Sequence, residues 1–292
     1  MSSYDIICSS SDRERWLEER RKGIGASEAA AVLGVSRWRT PLSVYVKKLG
    51  LDEDTEQSEA ARWGTLLEPI VAEEYLKERG RTGEPHGELL RSKARPWQLA
   101  TLDWVQHAAD REGPGLLEVK TTGNESAWSE GPPVDVLLQF QQQLAVTGWG
   151  WGSVAVLFGG FGGFHSHWVD VERNEDLIGY INEGEAEFME RVRSETPPDP
   201  DGHKATTEAL KLLYPKPDET TIQLNGDLHD VDYRRQEIAE QIKKLTEERA
   251  GIDNRIKAAI GSASVGVLGD VAYHWRADKR GTRSLRRVEV QS

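Results

Sequence analysis

The hydrophobic pattern of this chain changes its period once, and the change limits what it can fold into. Up to the run Thr196-Pro-Pro-Asp-Pro-Asp-Gly202, segments with alternating apolar residues are interspersed with segments whose apolar residues recur every three or four positions. These are the patterns of half-buried strands and amphipathic helices. Beyond that run, Ile238, Ile242, Leu245, Ile252, Ile256 and Ala259 recur at alternating steps of four and three, with Arg249 at the missing position. This is a heptad seam over about four turns or more, weakened at Gly251 by roughly 1 kcal/mol relative to Ala. The expected architecture is therefore an α/β (α+β) domain over residues 1–198, with a mixed central sheet flanked by helices. A C-terminal region, 199–292, follows it as a coiled-coil-like helical appendage with a small β-hairpin at 265–268 and 271–275.

Capping residues and glycines punctuate the first region. Ser11-Asp12-Arg13-Glu14 reads as a capping box opening a helix to about Lys22, which Gly23 ends. Gly25-Ala26-Ser27 leads into a short helix from Glu28 to Leu33, and Thr40-Pro41 opens a third, with proline at the first helical position. A longer helix is expected over about 66–79. Its start is ambiguous, since Thr65 with Glu68 forms a capping-box pattern and Pro69 prefers the first helical position. Strand signals follow at about 88–92, 97–105 and 115–121, and then a helix over about 136–147 capped by Asp135. Residues 153–158 and 164–171 read as a hairpin around Gly159-Gly160-Phe161-Gly162-Gly163, and Asn174 caps a helix over about 175–193. Residues 52–59 read as an acidic loop.

Composition narrows the functional classes. The 292 residues are 37% hydrophobic and 29% charged, and ten tryptophans supply material for a real core. No apolar run approaches the roughly 18 residues that would span a bilayer, so no membrane association is expected. Residues 1–11 lack the pattern of a secretory signal. The single cysteine, Cys8, excludes an intrachain disulfide and any cysteine-built metal or iron–sulfur site. A soluble protein of a reducing cytoplasm is the expectation. The net charge of −12 counts against a broad nucleic-acid-binding surface, though a local basic channel or bound cations can offset it.

The chemistry concentrates at Asp103 and the tripeptide Glu118-Val119-Lys120. Asp103 falls near the end of one expected strand. Glu118 and Lys120 lie two apart on the next, so both project from one face. Hydrolysing a phosphodiester requires neutralised charge at the transition state and a deprotonated water. Two carboxylates supply hard oxygen ligands for one or two Mg²⁺ ions, and a neighbouring lysine can orient or deprotonate the attacking water. Alone, an acid-x-Lys strand is equally an ordinary strand with a cross-strand charge pair.

The context is more specific. Arg21-Lys22-Gly23-Ile24-Gly25-Ala26-Ser27-Glu28, Trp63-Gly64-Thr65-Leu66-Leu67-Glu68, Thr101-Leu102-Asp103, Leu117-Glu118-Val119-Lys120 and Gln139-Phe140-Gln141 ahead of Val146-Thr147-Gly148 occur in one order over residues 12–195. Together they resemble the phage lambda exonuclease / YqaJ recombinase family of PD-(D/E)xK nucleases. The resemblance implies a restriction-endonuclease-like core, with Asp103, Glu118, Glu68 and the Val119 carbonyl as metal ligands and Lys120 serving the water. It places Gln139 and Gln141 on a helix beside the site, and Arg21 and Ser27 on a DNA 5′-phosphate. Leu102 departs from the proline usual before the first aspartate. Independently, a Gly-x-Ser turn into a helix offers backbone N–H groups to an anion, though most such serines are plain N-caps. Arg37, Trp38 and Arg39 interleave charge with an aromatic ring, as DNA-gripping segments do, and equally suit a loop with one buried tryptophan.

The activity implied is Mg²⁺-dependent degradation of linear double-stranded DNA from the 5′ end, with Mn²⁺ as a substitute. The resemblance further implies a homo-oligomer, possibly a trimeric ring, a single-strand annealing protein as partner, and a phage or prophage gene expressed in a bacterial host. The alternatives are a structure- or sequence-specific endonuclease of the same fold and a non-catalytic DNA-binding scaffold.

Overall fold

The computed structural model describes residues 2–52, 58–160 and 163–289. Contacts divide the chain into two compact units, Met1–Pro217 and Asp218–Ser292. Most of the acidic loop at 52–59 lies outside the described residues, as do Phe161 and Gly162 of the glycine turn.

In chain order the first unit begins with β1 (Tyr4–Ser9), α1 (Arg13–Arg21), β2 (Ile24–Gly25), a 3-10 turn at Ala26–Glu28, α2 (Ala29–Val32), α3 (Pro41–Lys48) and α4 (Glu59–Arg79). It continues with β3 (Thr82–Pro85), β4 (Glu88–Ser92), β5 (Gln98–Thr101), β6 (Trp104–His107), β7 (Gly115–Thr122), α5 (Val134–Thr147), β8 (Trp151–Gly160), β9 (Gly163–Glu172), α6 (Glu175–Arg193) and α7 (Lys204–Leu213). Five strands form a mixed sheet in the order β3-β6-β7-β8-β9, with only β7 and β8 parallel. A four-stranded sheet, β1-β4-β5-β2, is interleaved with it along the chain, since β3 precedes β4 and β5.

Period-two alternation decides the layering. On β7, Leu116 packs into a cluster with Phe140 and Leu144 of α5, whereas Leu117 and Val119 pack into a cluster with Val71, Ala72, Tyr75 and Leu76 of α4. The five-stranded sheet is thus covered by α5 on one face and α4 on the other. Gly152 on β8 permits the close approach of α5. A Cβ there would stand 2.5 Å from the Leu116 carbonyl oxygen and 2.7 Å from Phe140 Cζ.

Several expected boundaries move. Asp12, not Ser11, caps α1, accepting from the Arg15 amide at 3.3 Å. The long helix starts at Glu59, capped by Ser58, which accepts from Ala61 N at 3.2 Å. Thr65 lies inside that helix, its hydroxyl donating to the Ala61 carbonyl at 3.2 Å, and Pro69 is internal too. α5 starts at Val134 with Pro133 at the cap position, leaving Asp135 in its first turn. β1 pairs with β4 and had no counterpart in the sequence reading. Residues 199–217, assigned from sequence to the C-terminal region, supply α7 to the first unit, because Ala209 and Leu213 join the apolar cluster around Leu42, Tyr45 and Phe188.

The second unit holds α8 (Leu228–Ile260), β10 (Val265–Leu268), β11 (Val271–Ala277) and β12 (Arg283–Glu289). The expected hairpin is there, and a third strand completes a β10-β11-β12 sheet. Arg283 belongs to it. Its guanidinium lies 3.5 Å from the centroid of the Trp275 ring and donates to the Ala263 carbonyl at 2.6 Å. Among the described residues, no helix is long and apolar enough to cross a membrane.

Candidate active site

The sequence reading ran one strand from 97 to 105. The chain instead changes sheets at Leu102–Asp103, between β5 in the smaller sheet and β6 in the larger. Just outside the β6–β7 ladder, Asp103 turns its side chain onto the neighbouring strand: Asp103 Oδ2 accepts the Val119 amide at 2.9 Å. The carboxylate so takes the place of a strand carbonyl and is fixed beside β7.

Glu118 and Lys120 share the α5 face of β7, as their spacing predicted. Glu118 is 2% exposed. Its Oε1 accepts from Lys120 Nζ and from Gln139 Nε2, each at 2.5 Å, and its Oε2 accepts from Gln143 Nε2 at 2.7 Å. Lys120 Nζ also donates to Gln139 Oε1 at 3.2 Å. Burial raises the Asp103 pKa well above its ordinary value, and the adjacent Glu118 charge adds to the rise. Glu68, projecting from α4, is raised by the same causes in the same order, burial and then Glu118. Burial works against the Lys120 ammonium, but the charges of Glu118 and Asp103 outweigh it and hold its pKa above the ordinary value.

Of the two glutamines named from sequence, only Gln139 reaches this cluster. Gln141 sits about 200° round the helix from it and serves the fold, donating to the Glu172 carbonyl at 2.8 Å and accepting the Asn174 amide at 2.9 Å. Gln143, four residues after Gln139 and therefore on the same helical face, completes the cradle and was missed. Nor do these glutamines form a solvated face, since Gln141, Gln142 and Gln143 are all buried.

A cleft of about 170 Å³ opens beside the acids, lined by Trp16, Arg20, Gly25, Ala26, Ser27, Leu89, Thr101, Asp103 and Gln139. It joins Ser27 to Asp103. The arginine in its wall is Arg20, however, and Arg21 stands exposed outside that lining. Arg20 Nη2 donates to Ser27 Oγ at 3.2 Å, and its guanidinium lies 4.6 Å from the centroid of the Trp16 ring. The four-residue step from Trp16 to Arg20 was the signal that could have identified it. α2 spans only four residues, too few for its dipole to matter, so the cationic character of this wall comes from side chains. Arg39 adds to it, donating to the Ser27 carbonyl at 3.1 Å.

The wall is fixed from beneath by buried charge. Glu28 Oε2 accepts the Gly25 amide at 2.9 Å and Lys48 Nζ at 2.7 Å, and Lys48 also donates to the Arg20 carbonyl at 2.9 Å. Burial works against the Glu28 carboxylate, but Lys48 and Arg20 overcome it and hold its pKa at about 2. A second cleft, about 180 Å³, is lined by Arg37, Trp38, Lys120, Thr121, Trp128 and Asp135 among others. Trp38 is 72% exposed, so the reading of a loop with one buried tryptophan does not hold.

Among the described residues, no group of three or more His, Cys, Asp or Glu side chains could by itself hold a metal ion. The donor set nevertheless suits a hard cation. Burial and the Glu118 charge raise the proton affinity of Asp103, a cost that a cation between the two carboxylates would relieve, and Mg²⁺ characteristically takes one or two carboxylates and completes its shell with water and substrate phosphates.

Known proteins resemble this chain in sequence and in fold. The chain is 33% identical to the protein YqaJ of Bacillus subtilis (strain 168) over 272 residues, covering 90% of this chain and 83% of that one. Two crystal structures of LHK-Exo, an alkaline exonuclease from Laribacter hongkongensis, share the fold. One, solved with dAMP, gives a TM-score of 0.52 at 21% identity, and the other 0.50 at 22%; each alignment covers 63% of this chain and 94% of that one. The mixed sheet between α4 and α5 is accordingly a PD-(D/E)xK-type core. Residues 15–150, which carry every acid, amide and cation of the cleft described above, match the model of the YqaJ-like viral recombinase domain, and with the Bacillus relative this places the chain in that family.

Proposed function

We propose that this chain is a metal-dependent deoxyribonuclease that degrades linear double-stranded DNA from its 5′ end, producing single strands for phage-type recombination. The observation that carries the reading is a cleft whose lining joins Asp103 and Gln139 to Ser27 and Arg20, with Glu118 and Lys120 hydrogen-bonded to each other and to Gln139 directly behind it. One end of such a cleft suits a scissile phosphodiester and the other suits a terminal phosphate.

In this reading Asp103 and Glu118 would hold Mg²⁺, or Mn²⁺ in its place, with the Val119 carbonyl as a further oxygen donor and Glu68 on α4 drawn in only once the cation is bound. The bound cation supplies Lewis-acid stabilisation of the phosphorane-like charge. Lys120 stands where it can orient a water and hold or release its proton. Gln139 and Gln143 fix the orientation of the Glu118 carboxylate beside Asp103. Arg20 and Ser27 take the 5′-phosphate, and Arg37, Trp38 and Arg39 line the path of the DNA strand. Family resemblance extends the proposal to a homo-oligomeric, trimeric ring, to a single-strand annealing partner, and to action inside a bacterial host on behalf of a phage or prophage. The net charge of −12 confines DNA contact to this local cationic lining and the bound ions.

The test is incubation of the purified protein with linear, nicked and closed circular duplexes, in Mg²⁺ or EDTA. Loss of linear duplex alone, abolished by EDTA and reduced at least 10²-fold in Asp103→Ala, Glu118→Ala and Lys120→Ala, is the expected result. Cleavage of closed circles would identify an endonuclease of the same fold, and near-normal activity in Glu118→Ala would refute the site.

A further inference from the structure

α8 carries an apolar stripe with nothing buried along its 33 residues. Leu228, Val231, Ile238, Ile242, Leu245 and Ile252 are 41–64% exposed, on a helix about 50 Å long. Their three-four spacing makes them core positions of a heptad repeat, with Arg235 and Arg249 at the two polar steps. Only the C-terminal end is partly covered within the unit: Ile256 and Ile260 are half-buried, and Ile260 lies against Gly266 of β10. Among the described residues of the second unit, nothing covers the stripe ahead of that end.

We propose that α8 pairs with α8 of a second copy of this chain as an antiparallel two-stranded coiled coil. The charges select the partner and its direction. A parallel pair would set Arg235 against Arg235 and Arg249 against Arg249 of the second copy in the core. It would also flank the seam with like charges, Asp227 facing Asp232 and Glu248 facing Asp253. An antiparallel pair places each core arginine opposite an apolar core position, where its stem packs and its head reaches water. With the two-fold axis passing beside Gln241, Asp227 faces Arg255 and Arg234 faces Glu248, each pair occurring twice. Such self-complementarity is what an isologous interface requires. The centre of the contact is then Ile238, Ile242 and Leu245, away from the end that the small sheet occupies.

Light scattering of the full chain tests this. Ile242→Asp with Leu245→Asp should halve the mass, whatever assembly the first unit forms, because neither side chain is buried in the fold of the second unit. Arg234→Glu or Glu248→Arg should each weaken association roughly tenfold, and the two together should restore it. An unchanged mass in the aspartate variant would overturn the proposal. Tighter association in Glu248→Arg alone would overturn the antiparallel direction, since that change relieves a repulsion only in the parallel arrangement.

Discussion

Gln143 Nε2 stands 2.7 Å from Glu118 Oε2 and 3.1 Å from the Thr101 carbonyl, so one amide ties the carboxylate of β7 to the end of β5. Outer partners of this kind orient a ligand without touching the reacting atoms, and losing one costs about 10–100-fold in metal affinity or activity. Gln143→Leu keeps the bulk and removes the donor. The expected outcome is a fall in nuclease rate within that range together with a higher Mg²⁺ concentration at half-maximal rate. An unchanged Mg²⁺ midpoint with reduced thermal stability would show that Gln143 only holds the fold.

Arg20 and Arg21 are neighbours in sequence with opposite expected phenotypes. Arg20 lines the cleft and touches Ser27, whereas Arg21 lies outside that lining. If the cleft holds a terminal phosphate through a guanidinium, 5′-phosphorylated duplexes will be degraded faster than 5′-hydroxyl ones. Arg20→Ala will narrow that gap and Arg21→Ala will leave it. Initial rates on matched duplexes decide the matter, and equal wild-type rates would remove the phosphate assignment.

Glu185 is fully buried on α6, where it accepts from Gln98 Nε2 at 2.8 Å. Burial, with a further push from the Glu28 charge, raises its pKa from 4.5 to about 8. The folded state therefore binds more protons than the unfolded chain between these values. Stability contributed by the protonated group is intact below about pH 4.5 and is lost progressively as the pH climbs through 8. Glu185→Gln should raise the melting temperature at pH 9 and change it little at pH 5. A variant equally shifted at both would show that this carboxyl is ionised throughout.

Gly152 sets how near α5 comes to the sheet, and through that distance Gln139 and Gln143 reach Glu118. Gly152→Ala puts a methyl group against a backbone oxygen, which has no rotamer to escape into. Overpacking of this kind costs typically 1–3 kcal/mol. Denaturant unfolding should show that loss, and nuclease rate should fall more than the folded fraction does as the two amides are carried off Glu118.

Legibility of the sequence followed periodicity. Glu118 and Lys120 were assigned to one face from a spacing of two, and the β7 strand has no other way to project them. Asp103 was found, but not the bend that positions it, because Leu99, Ala100, Leu102 and Trp104 read as one continuous apolar stretch across a change of sheet. Arg20 and Gln143 were hidden by adjacent residues of the same type. Helical phase from Trp16 and Gln139 separates them from Arg21 and Gln141, whereas motif spelling does not. β1 is short and its apolar residues Ile6, Ile7 and Cys8 are consecutive rather than alternating, so its pairing with β4 is a tertiary event with no local pattern. The end of the first unit moved because α7 is amphipathic enough to dock past the proline-rich run.

The Glu28–Lys48 pair beneath the cleft has an evolutionary consequence. Substituting Glu28 alone strands Lys48 as an interior charge, a penalty of about 3–5 kcal/mol, comparable to the whole margin of many domains, and substituting Lys48 alone leaves the buried Glu28 to the Arg20 guanidinium at 3.3 Å. Replacing both with apolar residues of like volume is tolerable for folding, yet it would release the Gly25 amide and the Arg20 carbonyl and unseat the wall that bears Ser27. Descendants of this sequence can thus drift at 28 and 48 only in concert, and only where the cleft above them no longer has to hold its shape.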